Sequence, residues 1–109
     1  MLSSAAGADD GDEVRRKGRC THSSEIELRL RADDGAIRVD ARIDAGRRGR
    51  WNVIVLHERR IAFRGVLRPT GSSDDVRLRR SVADWFGRDA VTVRATGPRS
   101  ETCAVSAAI

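Results

Sequence analysis

Two cysteines, Cys20 and Cys103, are the residues in this sequence with the most clearly defined chemistry. Both share the inward-facing parity of alternating apolar segments: Cys103 is in step with Val105, and Cys20 is in step with Ile26 provided that the strand continues back without a bulge. A disulfide needs Cα atoms within about 7 Å of each other, which neighbouring or facing terminal strands provide. Closing a loop of this length stabilises a fold by about 4–5 kcal/mol. We therefore predict a Cys20–Cys103 disulfide, a bond typical of exported proteins.

The same two cysteines form an alternative set of metal ligands with His22 and His57, since zinc accepts thiolates and imidazoles. Structural zinc sites usually bring their ligands in closely spaced pairs, and neither cysteine has a second cysteine nearby. We therefore expect no metal. We also expect no other cofactor, because the glycines are dispersed as single turn residues rather than gathered in a phosphate-binding loop.

Catalytic chemistry finds little support in the residue pattern. Serine, histidine and aspartate all occur, but a catalytic triad is defined by geometry, and the G-x-S-x-G turn of many hydrolases is absent. His57 lies beside Glu58 at the polar end of an apolar segment, which predicts a solvated turn residue. We expect no catalytic residues and a protein that is not an enzyme.

Arginine dominates the charge of the chain. Only Lys17 is a lysine among the 21 lysine and arginine residues, and the formal net charge is +5. Such a charge attracts nucleic acid, anionic cell-surface polymers or acidic lipid. The candidate binding residues lie at the two ends of one predicted strand: Arg47, Arg48, Arg50, Arg59 and Arg60. Four further arginines are predicted to face outward from strands: Arg64, Arg77, Arg79 and Arg94.

The alternative interpretation of these arginines is a solvated exterior in which acids and bases neutralise one another. We favour this alternative, because the predicted strand pairing places Arg29 opposite Asp40 and Glu27 opposite Arg42.

Two apolar features compete with the arginines as contact surfaces. Exposed in a loop between strands, Trp85 and Phe86 would form a protein or glycan anchor. In a chain with two Trp, two Phe and no Tyr, we favour their packing against the end of the core instead. Ile54, Leu56 and Ala62 form an outward patch that suits a homodimer seam or a partner site. We expect a monomer or a weak homodimer.

Apolar and polar residues alternate with period two from residue 20 onward, and turn residues recur about every ten positions. This pattern predicts an all-β antiparallel sandwich of about seven strands. The clearest hairpin flanks Asp34-Gly35, a two-residue turn that sets one register. The predicted pairs are Leu30 with Val39, Leu28 with Ala41, Ile26 with Ile43, Arg29 with Asp40, and Glu27 with Arg42.

Two further hairpins follow. We prefer a three-residue loop over 58–60 to a two-residue turn there, because the shorter turn would set Val53 against Arg64. A turn over 98–100 forms the last hairpin, and a strand over 75–82 lies between the two. The predicted pairs are Val55 with Phe63, Trp51 with Leu67, Ala95 with Cys103, and Val93 with Val105.

Two segments carry a family resemblance: WNVIV at residues 51–55 and VTVRA at residues 91–95. They resemble the third strand and a late strand of immunoglobulin-like and fibronectin type III domains, and the resemblance covers residues 23–109. It implies an immunoglobulin-like antiparallel β-sandwich. Antibody-type domains carry cysteines inside their second and sixth strands, whereas here they lie before the first and within the last predicted strand. The chain is also similar to small exported proteins of actinobacteria, which implies export but no particular activity.

Residues 1–19 hold four acids followed by basic residues, with Val14 as the single interior aliphatic residue, which predicts a disordered tail before a domain over 20–109. The stretch over 3–10 resembles the cleavage-site end of a signal peptide. No apolar run reaches the 18 to 20 residues, roughly, of a membrane helix. We therefore predict a non-enzymatic secreted or cell-surface module that binds a protein or a surface. The alternative is an arginine-rich binder of nucleic acid, cell-wall polymer or acidic glycan, and an enzyme is a more distant one.

Overall fold

The computed structural model describes residues 11–46, 48–85 and 87–109, which form an all-β protein of two antiparallel sheets. The described residues contain nine strands: β1 Glu13–Lys17, β2 Arg19–Cys20, β3 Glu25–Asp33, β4 Ala36–Asp44, β5 Trp51–His57, β6 Arg60–Leu67, β7 Asp75–Ala83, β8 Ala90–Thr96 and β9 Thr102–Ala108. A short 3-10 turn, Pro98–Ser100, joins the last two strands. The predicted all-β sandwich is confirmed, and the two strands beyond the expected seven are β1 and β2.

Strand β1 lies inside the segment that the sequence predicts to be a disordered tail, so that prediction is wrong for residues 13–17. β1 pairs along β3, with Glu13 opposite Arg31 and Lys17 opposite Glu27. Val14 packs against the core. An edge strand buries little surface of its own, so a single aliphatic residue suffices to hold it. Arg19, the last residue of the predicted tail, begins β2, so the prediction is wrong there as well. Residues 1–10 lie outside the described residues.

The four-stranded sheet has the order β1-β3-β4-β7. All five pairs predicted for the Asp34-Gly35 hairpin are confirmed, from Ile26 opposite Ile43 to Leu30 opposite Val39. β7 then pairs with the other side of β4 over its whole length. Because register fixes which side chains share a face, this pairing aligns the outward residues of β7 with those of β3 and β4.

The five-stranded sheet has the order β2-β9-β8-β5-β6. The predicted pairs of both hairpins are confirmed, including Trp51 opposite Leu67 and Val93 opposite Val105. The predicted three-residue loop over 58–60 is wrong: the β5–β6 turn is closed by His57 opposite Arg60, and a bulge after Val55 absorbs the extra residue. Both turn residues adopt positive φ, as a type I′ turn requires. The bulge brings Ile61 opposite Leu56, so Ile61 joins the predicted outward patch.

The core lies between the two sheets and is built from aliphatic side chains on their inner faces. Among the described residues, its largest fully buried side chain is that of Trp51 on β5, which is 1% exposed, and Phe63 packs against the core from β6. The indole ring lies so close to Gly97 that an added Cβ there would clash with three ring atoms. Among the described residues, no helix is long and apolar enough to cross a membrane.

Candidate functional site

The predicted disulfide is confirmed. Cys20 on β2 lies directly opposite Cys103 on β9, and their sulfur atoms are bonded at 2.02 Å. The carboxylate of Glu101 lies within 4.8 Å of these sulfurs, but sulfurs bonded to each other are not thiolates. The zinc interpretation of Cys20, His22, His57 and Cys103 is therefore wrong in this oxidised state.

Glu101 and Ser24 form a buried brace at the same end of the sandwich. The Ser24 backbone N–H donates to Oε2 of Glu101 at 3.1 Å, and the Ser24 hydroxyl donates to Oε1 at 2.7 Å. Burial raises the pKa of Glu101, but the hydrogen bonds from Ser24, helped by His22, outweigh it and hold the pKa below its ordinary value. The brace ties the β2–β3 loop to the residues before β9.

A second buried polar pair, His57 with Asp89, lies at the opposite end of β5. His57 is 3% exposed and Asp89 is fully buried, so the predicted solvated histidine is wrong. His57 Nε2 lies 2.7 Å from Oδ1 of Asp89, and the same oxygen accepts a hydrogen bond from the Trp85 backbone N–H at 3.2 Å. In the part of the chain that the structure describes, no serine, threonine or cysteine side chain is hydrogen-bonded to His57. The pair orders the β7–β8 loop without presenting a nucleophile.

Trp85 is stacked on His57, with ring centroids 4.0 Å apart, yet its own side chain is largely outside the core. At 41% exposure it does not cap the core, so the favoured core interpretation is wrong for Trp85. It lines a cavity of about 430 Å³ with Glu58, Arg60 and Arg88. Phe86, the other half of the predicted pair, lies outside the described residues.

The predicted arginine candidates do not form one cluster. Arg48 and Arg50 precede β5 and Arg59 and Arg60 follow it, so the two groups are separated by the length of that strand, about 20 Å. Arg48 donates to the Ser73 carbonyl at 2.6 Å. Arg47 lies outside the described residues.

Arginines gather instead on the outer face of the four-stranded sheet. Two cavities there, of about 680 and 220 Å³, share Arg29 and Asp40 in their linings. We call them together the arginine groove, and the charged residues that line it are Arg15, Arg29, Arg31, Arg38, Arg42, Arg77, Arg79 and Arg80 with Glu27, Asp33 and Asp40. Acids outside the lining neutralise two of these arginines, since Glu13 pairs with Arg15, and Asp44 and Asp75 lie within 4.0 Å of Arg42. The guanidinium of Arg80 lies 4.3 Å from the centroid of the Phe63 ring, on the other sheet.

Two of the three carboxylates, Asp33 and Asp40, hold some of these arginines in place, whereas other arginines have no ion pair with a described residue. Asp40 lies at the centre, 3.0 Å from Arg29 Nη2 and 3.8 Å from Arg79 Nε. Arg31 and Arg77 form no salt bridge with any described residue, and both are exposed. A bound anion would therefore contact two kinds of guanidinium group: those that ion pairs already orient, and those that have no ion pair with a described residue.

Sequence reasoning missed the groove as a cluster, although it predicted Arg77 and Arg79 to face outward. The missing information was the pairing of β7 with β4, which places Arg79 opposite Asp40 and Arg77 opposite Arg42. The one available signal was the matching alternation of outward arginines in both segments.

Comparisons with protein-family models, with curated proteins and with solved structures find no match for this chain. Function is therefore inferred from the site itself.

Proposed function

We propose that this protein is a non-enzymatic binding module whose ligand is an extended polyanion held in the arginine groove. The observation that carries the proposal is that two exposed arginines, Arg31 and Arg77, form no ion pair with any described residue and lie beside arginines that Asp40 orients. Guanidinium groups bind phosphate and sulfate oxygens through paired N–H donors.

The lining favours a ligand recognised by its backbone charge. Side chains on one face of a strand repeat about every 7 Å, which lets a flexible chain place successive anions over successive arginines. Among the described residues, no aromatic side chain lines the groove. Single-stranded nucleic acids are usually held by bases stacked on aromatic rings. We therefore favour a polymer of phosphate or sulfate groups without base recognition.

Export and an immunoglobulin-like identity belong to the same proposal. A disulfide that closes an 83-residue separation persists in oxidising compartments and is rare in the cytosol. The two antiparallel sheets are compatible with an immunoglobulin-like sandwich. A secreted or cell-surface module would meet polyanions of the cell wall or of acidic glycans.

A second candidate function is protein or glycan contact through Trp85. It is favoured by the stacking of Trp85 on the buried His57, which fixes an exposed aromatic ring in one orientation. Because Trp51 is buried, quenching of tryptophan fluorescence by acrylamide reports mainly on Trp85. A partner that covers this ring protects it from the quencher, whereas a ligand confined to the groove leaves quenching unchanged.

The groove is tested by measuring affinity for heparin and for polyphosphate across a range of salt concentrations. The groove variant is Arg31→Ser, Arg77→Ser and Arg79→Ser together, since all three are exposed and the one salt bridge they make with described residues is that of Arg79 with Asp40 at 3.8 Å. The matched control removes the same charge from exposed loop positions, as Arg50→Ser, Arg68→Ser and Arg99→Asn. Asparagine is chosen at Arg99 because the φ there is 59°.

We expect the groove variant to lower the slope of log affinity against log salt by about 0.7–0.9 per lost contact. The loop control should keep most of the wild-type slope. Equal losses in both variants would show that net charge alone binds the polymer and would contradict the groove. A preference for heparin over polyphosphate, or the reverse, would identify the ligand as sulfate or phosphate.

A further inference from the structure

The outer face of the five-stranded sheet carries a row of three arginines. Strand register aligns Arg19 with Ala104, Ala104 with Arg94, Arg94 with Ile54, and Ile54 with Arg64. The three arginines thus occupy every second strand, about 9.5 Å apart and about 19 Å from end to end. We call Arg19, Arg94 and Arg64 the arginine row.

No carboxylate balances the arginine row. The five strands of this sheet contain no aspartate or glutamate. All three arginines are exposed, and within the part of the chain described by the structure none of them forms a salt bridge. The row differs in this respect from the groove, where Asp40 and Asp33 hold arginines in ion pairs.

The side chains around the row are uncharged, and Arg19, Arg94 and Ala104 help to line a cavity of about 340 Å³. Between the arginines lie Ala104 and Ile54, and beside them the Thr92 and Ser106 hydroxyls are 2.8 Å apart. Around Arg19 and Arg94 the small and hydroxyl-bearing side chains let an extended polymer approach closely and offer it hydrogen bonds, whereas Arg64 shares its strand with the exposed apolar side chains of Ile61 and Val66. Charge complementarity therefore selects a polyanion as the occupant of this face.

We propose that the arginine row binds a second polyanion chain, so that one molecule bridges two chains through its opposite faces. This inference rests on the proposed function of the groove. The two sheets pack about 10 Å apart, which places the row and the groove on opposite sides of the sandwich. A short, stiff polymer bound in the groove cannot reach the row as well, which leaves the row open to another chain.

Bridging is tested by a two-step capture experiment on the full chain. Biotinylated heparin is immobilised, saturated with protein and washed, and a fluorescent heparin oligosaccharide is then added. The row variant carries Arg19→Ser, Arg64→Ser and Arg94→Ser, and the loop variant described above serves as the charge-matched control. Circular dichroism and thermal unfolding check that each variant folds as the wild type does.

We expect the wild type and the loop control to capture the oligosaccharide in the second step. The row variant should bind the immobilised heparin within about threefold of wild type but lose most of this second capture. Second capture by the row variant at the wild-type level would overturn bridging. An equal loss of second capture in the row variant and the loop control would also overturn bridging. If no protein binds the immobilised heparin at all, the proposed function of the groove fails. Binding of the first layer without any second capture refutes bridging alone.

Discussion

The two outer faces of the sandwich differ in how they carry charge. The strands of the four-stranded sheet hold seven carboxylates and ten basic residues. Those of the five-stranded sheet hold four arginines and no carboxylate. The first face is densely charged and partly neutralised, whereas the second is nearly uncharged except for its row of arginines.

The difference shows that charge density and binding capacity are separate properties. On the four-stranded sheet, register brings acids beside bases, as at Arg29 and Asp40, and only the arginines left over are available to a ligand. Among the described residues, the strands of the five-stranded sheet form no such cross-strand ion pairs, since they contain no carboxylate. This sheet is fastened instead by the disulfide, by the packing of Trp51 on Gly97 and by the Glu101 brace. We therefore expect the free energy of unfolding to depend most on these contacts of the five-stranded sheet.

The largest effect is expected from removing the disulfide. A Cys20→Ser, Cys103→Ser double variant releases an 83-residue constraint, which costs about 4–5 kcal/mol in the chain-entropy model. Urea unfolding measures the change. The control is Glu13→Gln, which breaks the ion pair between Glu13 and Arg15 on edge strand β1 and should cause no measurable loss. Similar losses of stability in both variants would contradict the expectation that the five-stranded sheet contributes more to stability.

Gly97→Ala is expected to have the next largest effect. Its Cβ would clash with the buried Trp51 ring, and forcing extra volume into a packed core costs up to about 3 kcal/mol. The control is Gly35→Ala in the other sheet, where φ is +79° but no atom lies within 4 Å of the new Cβ. Backbone strain alone costs about 1–2 kcal/mol there. Thermal unfolding that ranks Gly35→Ala as the more damaging change would contradict a tightly packed Trp51.

Local chemistry explains which parts of this fold were predictable from the sequence. The Asp34-Gly35 turn fixes a register by itself, and the alternation on both sides confirms it independently. β1 was missed because an edge strand with a single aliphatic residue has the composition of a tail. The burial of His57 was missed because its partner, Asp89, lies 32 residues away.

The site was less predictable than the fold because, like the His57–Asp89 pair, it joins residues that lie far apart in the sequence. Arg77 and Arg79 were expected to face outward, but the arginines they join lie on other strands, and sheet order decides which strands are neighbours. Chain proximity had suggested the loop with Arg48 and Arg50 instead. A cluster that forms across four strands leaves no signature in any one segment of the sequence.

Glu101→Gln is expected to change the pH dependence of stability. The pKa of Glu101 is below its ordinary value of 4.5, so its carboxylate stabilises the fold above that pH. This contribution is lost as the pH falls through the lowered pKa in the folded protein. The variant should be less stable than wild type by about 1 kcal/mol at neutral pH, and the difference should shrink on acidification. Ser24→Ala should reproduce part of this effect; a constant difference from pH 7 to pH 3 would contradict it.

Asp40→Asn is expected to have the smallest effect on stability and an opposite effect on binding. Asp40 is an outer-face carboxylate with a 19% exposed side chain, and its ion pairs are worth about 1 kcal/mol or less. Its removal raises the excess charge of the groove and frees Arg29 and Arg79 for the ligand, so affinity for heparin should rise. Glu25→Gln makes the same change in net charge at an exposed residue that does not line the groove and forms no salt bridge with any described residue. A rise in salt-dependent retention for Asp40→Asn beyond that for Glu25→Gln places the ligand at the groove, because the two variants differ in where the charge is removed.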